Sequence, residues 1–113
     1  MTKLYDVMSA YPVMGDGPNQ WSPVEIKMAM ALLGKNRHYH MHNILRRHFN
    51  STARKVGYAD NAEPIIESIL QRTNAAIEEV NTNLPAGFNR QVADTILDGV
   101  SIAAKKLAAM PAS

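Results

Sequence analysis

The sequence predicts an all-α domain, a compact set of four helices over residues 22–110 behind an irregular lead-in at 1–21. Three observations carry that prediction. Apolar residues recur at helical spacing through most of the chain, capping residues stand before three of those runs, and no convincing pair of strands interrupts them. With 113 residues, 46% hydrophobic and 19% charged, the chain is long enough for one core and too apolar for charge-driven disorder, so 1–113 is read as one domain.

Residues 4–20, LYDVMSAYPVMGDGPNQ, crowd two prolines and two glycines into a short span and sustain no periodicity. A first helix is then expected from Pro23 to Leu33. Ser22, Pro23 and Glu25 form a capping box, and Gly34 can close the end in the left-handed conformation. Its residues Val24, Ile26, Met28 and Met30 through Leu33 leave little polar face, which marks a buried central helix. The polar, alternating KNRHYHMHN that follows reads as a loop or a short extended piece.

A second helix is expected from Leu45 to Val56, with Leu45, Phe49, Thr52, Ala53 and Val56 inward and Arg46, Arg47, Asn50, Ser51, Arg54 and Lys55 outward, ended by Gly57. Asp60 or Asn61 caps a third, whose stripe runs Ile65, Ile66, Ile69, Leu70, Ala76, Ile77, Val80 to Leu84. After the LPAG break, Asn89 caps a fourth, with Val92, Ile96, Leu97, Val100, Ala103, Ala104 and Leu107 facing inward.

Function classes fall away quickly. The absence of cysteine excludes disulfides, thiolate metal sites and cysteine nucleophiles. No apolar run approaches the ~20 residues that span a bilayer and no signal pattern opens the chain, so a soluble, cytoplasmic protein without a membrane partner is expected. His38, His40, His42 and His48 lack nearby acidic ligands to complete a metal site, and no GxSxG, GxxxxGK[ST] or HExxH motif is present. Gly15 and Gly17 read as a tight turn. Charge is more informative: between Glu25 and Asp60 stand seven Lys and Arg and no acidic residue, +7 against −5 for the remainder. Such separation favours an anionic partner, with Arg46, Arg47, Arg54 and Lys55 as the binding candidates. Trp21, Met14 and Val13 form a candidate apolar patch suited to self-association as a homodimer.

The segments LYDVMSAYPVMG, KMAMALLGK, the tyrosine and Ile44 that follow, and RRHFNSTARKVG together resemble the C-terminal region of HipA-like serine/threonine kinases, toxins of bacterial HipBA-type toxin–antitoxin pairs. The likeness runs over residues 4–57 and continues loosely to the NLPAGF turn and beyond. It implies a helical part of a kinase C-lobe, in which Asp6 matches the aspartate that holds magnesium against the phosphates of ATP. The family's phosphate-covering loop, ATP-pairing lysine, catalytic aspartate and metal-binding asparagine have no counterpart in these 113 residues. The resemblance therefore implies that the isolated chain has no catalytic residues of its own and is inactive until a companion chain carrying the ATP-binding lobe is supplied. The family's reaction is transfer of the ATP γ-phosphoryl group to a protein hydroxyl, on a translation-related protein such as an aminoacyl-tRNA synthetase. Implied partners are a HipB-like helix-turn-helix antitoxin and operator DNA, which the basic helix would meet through phosphates.

Overall fold

A computed structural model describes residues 9–113, and Asp6 with the LYDV motif lies outside the described residues. In chain order the described residues form a 3-10 turn at Tyr11–Val13, a two-stranded antiparallel hairpin of β1 (Lys27–Leu33) and β2 (Arg37–His40), a second 3-10 turn at Met41–Asn43, and three helices: α1 (Arg46–Lys55), α2 (Glu63–Thr82) and α3 (Arg90–Ala109). Among the described residues the protein is thus mostly helical but not all-α, with three helices where four were expected.

The correction falls on Pro23–Leu33. The expected Ser22 capping box does not form; Glu25 N–H donates to the Ser22 backbone carbonyl at 3.0 Å and closes only a turn. Beyond it the chain is extended, pairing Lys27 with His40, Leu32 with His38 and Leu33 with Arg37 around an irregularity. Helix propensity differs by well under 1 kcal/mol per residue among ordinary residues, so a partner overrides it easily. Once RHYH is extended, its backbone groups need a paired neighbour, and residues 27–33 supply it. Gly34 accordingly closes no helix. It opens the hairpin turn, its N–H donating to the Asn36 carbonyl at 3.0 Å.

The bounds of the remaining helices follow the sequence closely, but their faces do not: Ile65, Ile69, Val80 and Val100, expected inward, are exposed. At the end of α1, Tyr58 N–H reaches the Ala53 carbonyl and Gly57 N–H the Arg54 carbonyl, with Gly57 at φ +76°, a Schellman close. Asn61 Oδ1 accepts from Glu63 N–H at the start of α2, and Asn89 Oδ1 from Val92 N–H at the start of α3. The turn at Gly15–Gln20 is held by Gly17 N–H donating to Gln20 Oε1 at 3.0 Å.

The apolar core is thin. Among the described residues only Ile26, Ala53, Ile66 and Ala93 are buried hydrophobics, whereas Trp21, Val24, Met30, Ile69 and Ile102 are each more than half exposed. Val13 and Trp21 of the predicted apolar patch are exposed, with Met14 partly covered. The accessible surface is 8925 Å², against about 6,200 Å² for a compact monomer of this mass. The radius of gyration is 15.7 Å, where about 13 Å is usual for this length. No helix among the described residues is long and apolar enough to cross a membrane.

Candidate functional site

Helix α1 is rotated from the expected orientation. Its buried residues are Arg46, His48, Asn50 and Ala53, while Phe49 and Val56, expected inside, are exposed. The reason is a polar junction with α2 and the end of the chain. Arg46 donates from Nε and Nη2 to the two carboxylate oxygens of Glu63 at 2.9 and 2.8 Å, from Nη2 to Glu67 at 2.6 Å, and from Nη1 to the Leu107 carbonyl at 3.4 Å. Asn50 is used at both ends of its amide. Its Nδ2 donates to Glu63 at 3.1 Å and to the Ala112 carbonyl at 2.9 Å, and its Oδ1 accepts from Ala62 N–H at 2.8 Å. Hydrogen bonds from Arg46 first, then from Asn50, hold the Glu63 carboxyl below its usual range, and the hydrogen bonds to Glu63 and then Glu67 raise Arg46.

This geometry sorts the four basic candidates. Arg46 is consumed by two carboxylates, and Lys55 donates from Nζ to the Gly34 carbonyl, tying α1 to the hairpin turn. Arg47 and Arg54 are exposed and make no ion pair among the described residues. With Ser51 they occupy positions i, i+4 and i+7 of α1, one face of a helix. Across from them stands the hairpin turn with Gly34, Lys35 and Asn36, and the two sides enclose a cleft of about 400 Å³.

Two imidazoles line the same cleft. His38 of β2 and His48 of α1 stack with ring centroids 3.9 Å apart and planes 14° apart. His48 Nδ1 accepts from Leu45 N–H at 3.0 Å, which places the proton of the neutral ring on Nε2. Burial, then the nearby His38 and Arg47, lower the His48 pKa, so it sits in the cleft as a neutral ring. A Cβ on Gly34 would lie 3.0 Å from His38 Nε2 and 3.2 Å from His48 Cδ2, so the glycine allows the turn to close on the stack. Thr52 completes the docking, its Oγ1 accepting from Leu33 N–H at 2.8 Å.

A second concavity, of about 360 Å³, lies between α2 and α3, where Glu78, Asp94 and Asp98 surround Ile77 and Leu97. His40 and His42 meet edge to face at 6.0 Å, and no three metal-ligating side chains converge among the described residues. The sequence reading missed Lys35, His38 and Ser51 as companions of Arg47 and Arg54. The i, i+4, i+7 spacing could have added Ser51, but nothing local joins the hairpin residues to α1 once 23–33 is read as a helix. No family model matches the chain.

Proposed function

We propose that this chain is the C-terminal helical part of a HipA-like serine/threonine protein kinase, not competent for catalysis by itself, which contributes Asp6 as a magnesium ligand when an ATP-binding lobe is supplied. The observation that carries the reading is the ordered succession of LYDVMSAYPVMG, KMAMALLGK and RRHFNSTARKVG within residues 4–57. The thin core supports it. The 8925 Å² of accessible surface exceeds that of a compact monomer by about 2,700 Å², surface that a neighbouring lobe could cover. Such a chain suits a neighbouring lobe. Asp6 has the chemistry for the role, because magnesium takes hard oxygen ligands and bridges ATP phosphates.

The test is to isolate the native protein with its neighbours and identify them by mass spectrometry. A co-isolated chain carrying an ATP-binding lobe, with Mg·ATP-dependent protein phosphorylation that Asp6→Ala removes, is the expected result. Turnover of Mg·ATP by the 113-residue chain alone overturns the reading.

One observation favours a second reading, that of a non-catalytic binding module. Arg47, Arg54 and Lys35 form a cationic face with no ion pair among the described residues, which suits operator DNA or an acidic partner such as a HipB-like antitoxin. If the three neutralise about three DNA phosphates, log affinity falls against log salt with a slope of about −2.7. Salt-independent binding, or none at low ionic strength, excludes the DNA form of this reading.

A further inference from the structure

The cleft between the hairpin turn and α1 has a feature that a solvated basic face lacks: its cations come from two different elements and converge on one volume. Lys35 lines it from the turn and Arg47 and Arg54 from positions two turns apart on α1, with Ser51 on the intervening turn of the same face. Of the acidic side chains that follow α1, Glu63 and Glu67 are held by Arg46, and Asp60 makes no ion pair with Lys35, Arg47 or Arg54. No acidic side chain occurs from Ile26 to Ala59, and Ala112 and Ser113 line the remaining side, the Ser113 carboxylate being the one anion there and making no ion pair with any of the three cations. Like charges gathered this way repel unless an anion joins them.

The walls are fixed. The Gly34 turn is packed against the stacked His38 and His48 rings and tied by Lys55 to its carbonyl, so the positions of Lys35 and of α1 relative to each other are set before any ligand arrives. A preorganised site loses less conformational freedom on binding.

We infer that this cleft receives a phosphomonoester group, a terminal phosphate dianion held between Lys35, Arg47 and Arg54 with the Ser51 hydroxyl as a further donor. Arginine forks match phosphate oxygens in bidentate geometry, and a lysine adds a point charge. A duplex backbone is served by a stripe of cations along a surface. Groups that converge on about 400 Å³ suit a single terminal phosphate instead. The inference rests on the second reading above, that this face meets anions, and is independent of the kinase reading.

The experiment is a heteronuclear NMR titration of the whole chain with inorganic phosphate and with O-phosphoserine, using chloride at matched ionic strength as the control. Saturable shifts at Lys35, His38, Ser51 and Arg54 are expected with both phosphates and not with chloride. The pair Arg47→Ala with Arg54→Ala should weaken binding by about tenfold or more, since charge-assisted hydrogen bonds are lost. Arg37→Ala, exposed on β2 and outside the cleft, should change it less than about twofold. The thermal midpoint of each variant is recorded, because these side chains carry no folding contact. Equal shifts with chloride, or equal loss in Arg37→Ala, overturn the inference. A DNA duplex that binds through Arg47 and Arg54 and is not displaced by saturating phosphate overturns the phosphomonoester assignment while leaving the anion-binding reading standing. Absence of binding by phosphate and duplex alike overturns both.

Discussion

Residues 26–59 hold seven cations and no carboxylate, whereas residues 60–113 hold four cations and seven carboxylates, and the two regions are also held together differently. The hairpin and α1 are fastened by directed polar contacts: Thr52 to Leu33, Lys55 to Gly34, His48 to Leu45, and the Arg46–Asn50 junction that crosses to Glu63, Glu67, Leu107 and Ala112. In α2 and α3 the buried apolar residues are Ile66 and Ala93, and Ile65, Ile69, Val80, Val100 and Ile102 remain exposed. Orientation within this molecule is therefore carried at the junction by a few hydrogen bonds. The helical pair keeps apolar surface open to whatever neighbour covers it.

The sharpest way to break that comparison is at Asn50, which serves three partners and is only 5% exposed. Asn50→Ala leaves the Ala62 N–H and the Ala112 carbonyl without partners and removes a donor from Glu63, a loss of about 2–4 kcal/mol. Urea unfolding should show a midpoint lowered by about 1–2 M. A loss under about 0.5 kcal/mol would show that the junction is not what orders this end.

Asn50 also shows where the sequence stopped being readable. The spacing of Leu45, Phe49, Thr52, Ala53 and Val56 announces a helix correctly, but periodicity ranks faces by hydrophobicity, and here the inward face is led by an arginine and an asparagine. Their partners lie 12 to 62 residues away, beyond any local pattern. The Asn89 cap, the Asn61 turn that leads into α2 and the Gly57 close were legible because each is a local hydrogen-bond device. The strand at Lys27–Leu33 was not, because Met, Ala and Leu favour helices and the pairing that overrides them is set by RHYH. Of the candidate site, Arg47 and Arg54 were visible as charges, and their separation from Arg46 and Lys55 was not. Asp6 rests on the family likeness alone.

Gly99 tests the lead-in's docking on α3, the contact that ties residues before the hairpin to the helical pair. A Cβ there would run into the Tyr11 ring. In a solvated helix Gly→Ala is favourable by about 1 kcal/mol. Overpacking against Tyr11 should reverse the sign, to a net loss of about 1–2 kcal/mol. A stabilised variant in thermal unfolding would mean that Tyr11 does not sit against α3, and Tyr11→Ala combined with Gly99→Ala should restore the ordinary gain.

The pH dependence separates the two regions next. His48 has a lowered pKa, so the unfolded chain binds its proton more readily. Its stabilising contribution is present above the ordinary histidine value near 6.5 and is lost as pH falls below it. Protonation would also set an Nδ1–H against the Leu45 N–H that it now accepts. Glu63, lowered from 4.5, contributes in full above that value and is lost only at more acid pH. Thermal midpoints measured from pH 7.5 to 5.5 should fall, and His48→Gln, which keeps an acceptor for Leu45 without a titrating ring, should flatten that slope. An unchanged slope in His48→Gln would place the acid sensitivity elsewhere.

Arg90 should show the smallest effect and so sharpen the contrast. It pairs with Asp94 at 3.1 Å, one helical turn on, and donates to Asn81 of α2, but both charged side chains are more than half exposed. An exposed pair at this spacing stabilises by about 0.3–0.5 kcal/mol. Opposing it, an arginine at the first position of α3 faces the positive end of the helix dipole, unfavourable by about 0.3–1 kcal/mol. The two nearly cancel, so Arg90→Ala should lie within about 0.5 kcal/mol of the parent protein in urea unfolding, with little change on adding salt, which screens both effects together. A loss above about 1.5 kcal/mol would mean that α2 and α3 are joined by their polar ends as firmly as α1 is joined to α2. The exposed apolar faces of the helical pair would then be no measure of how loosely it is held.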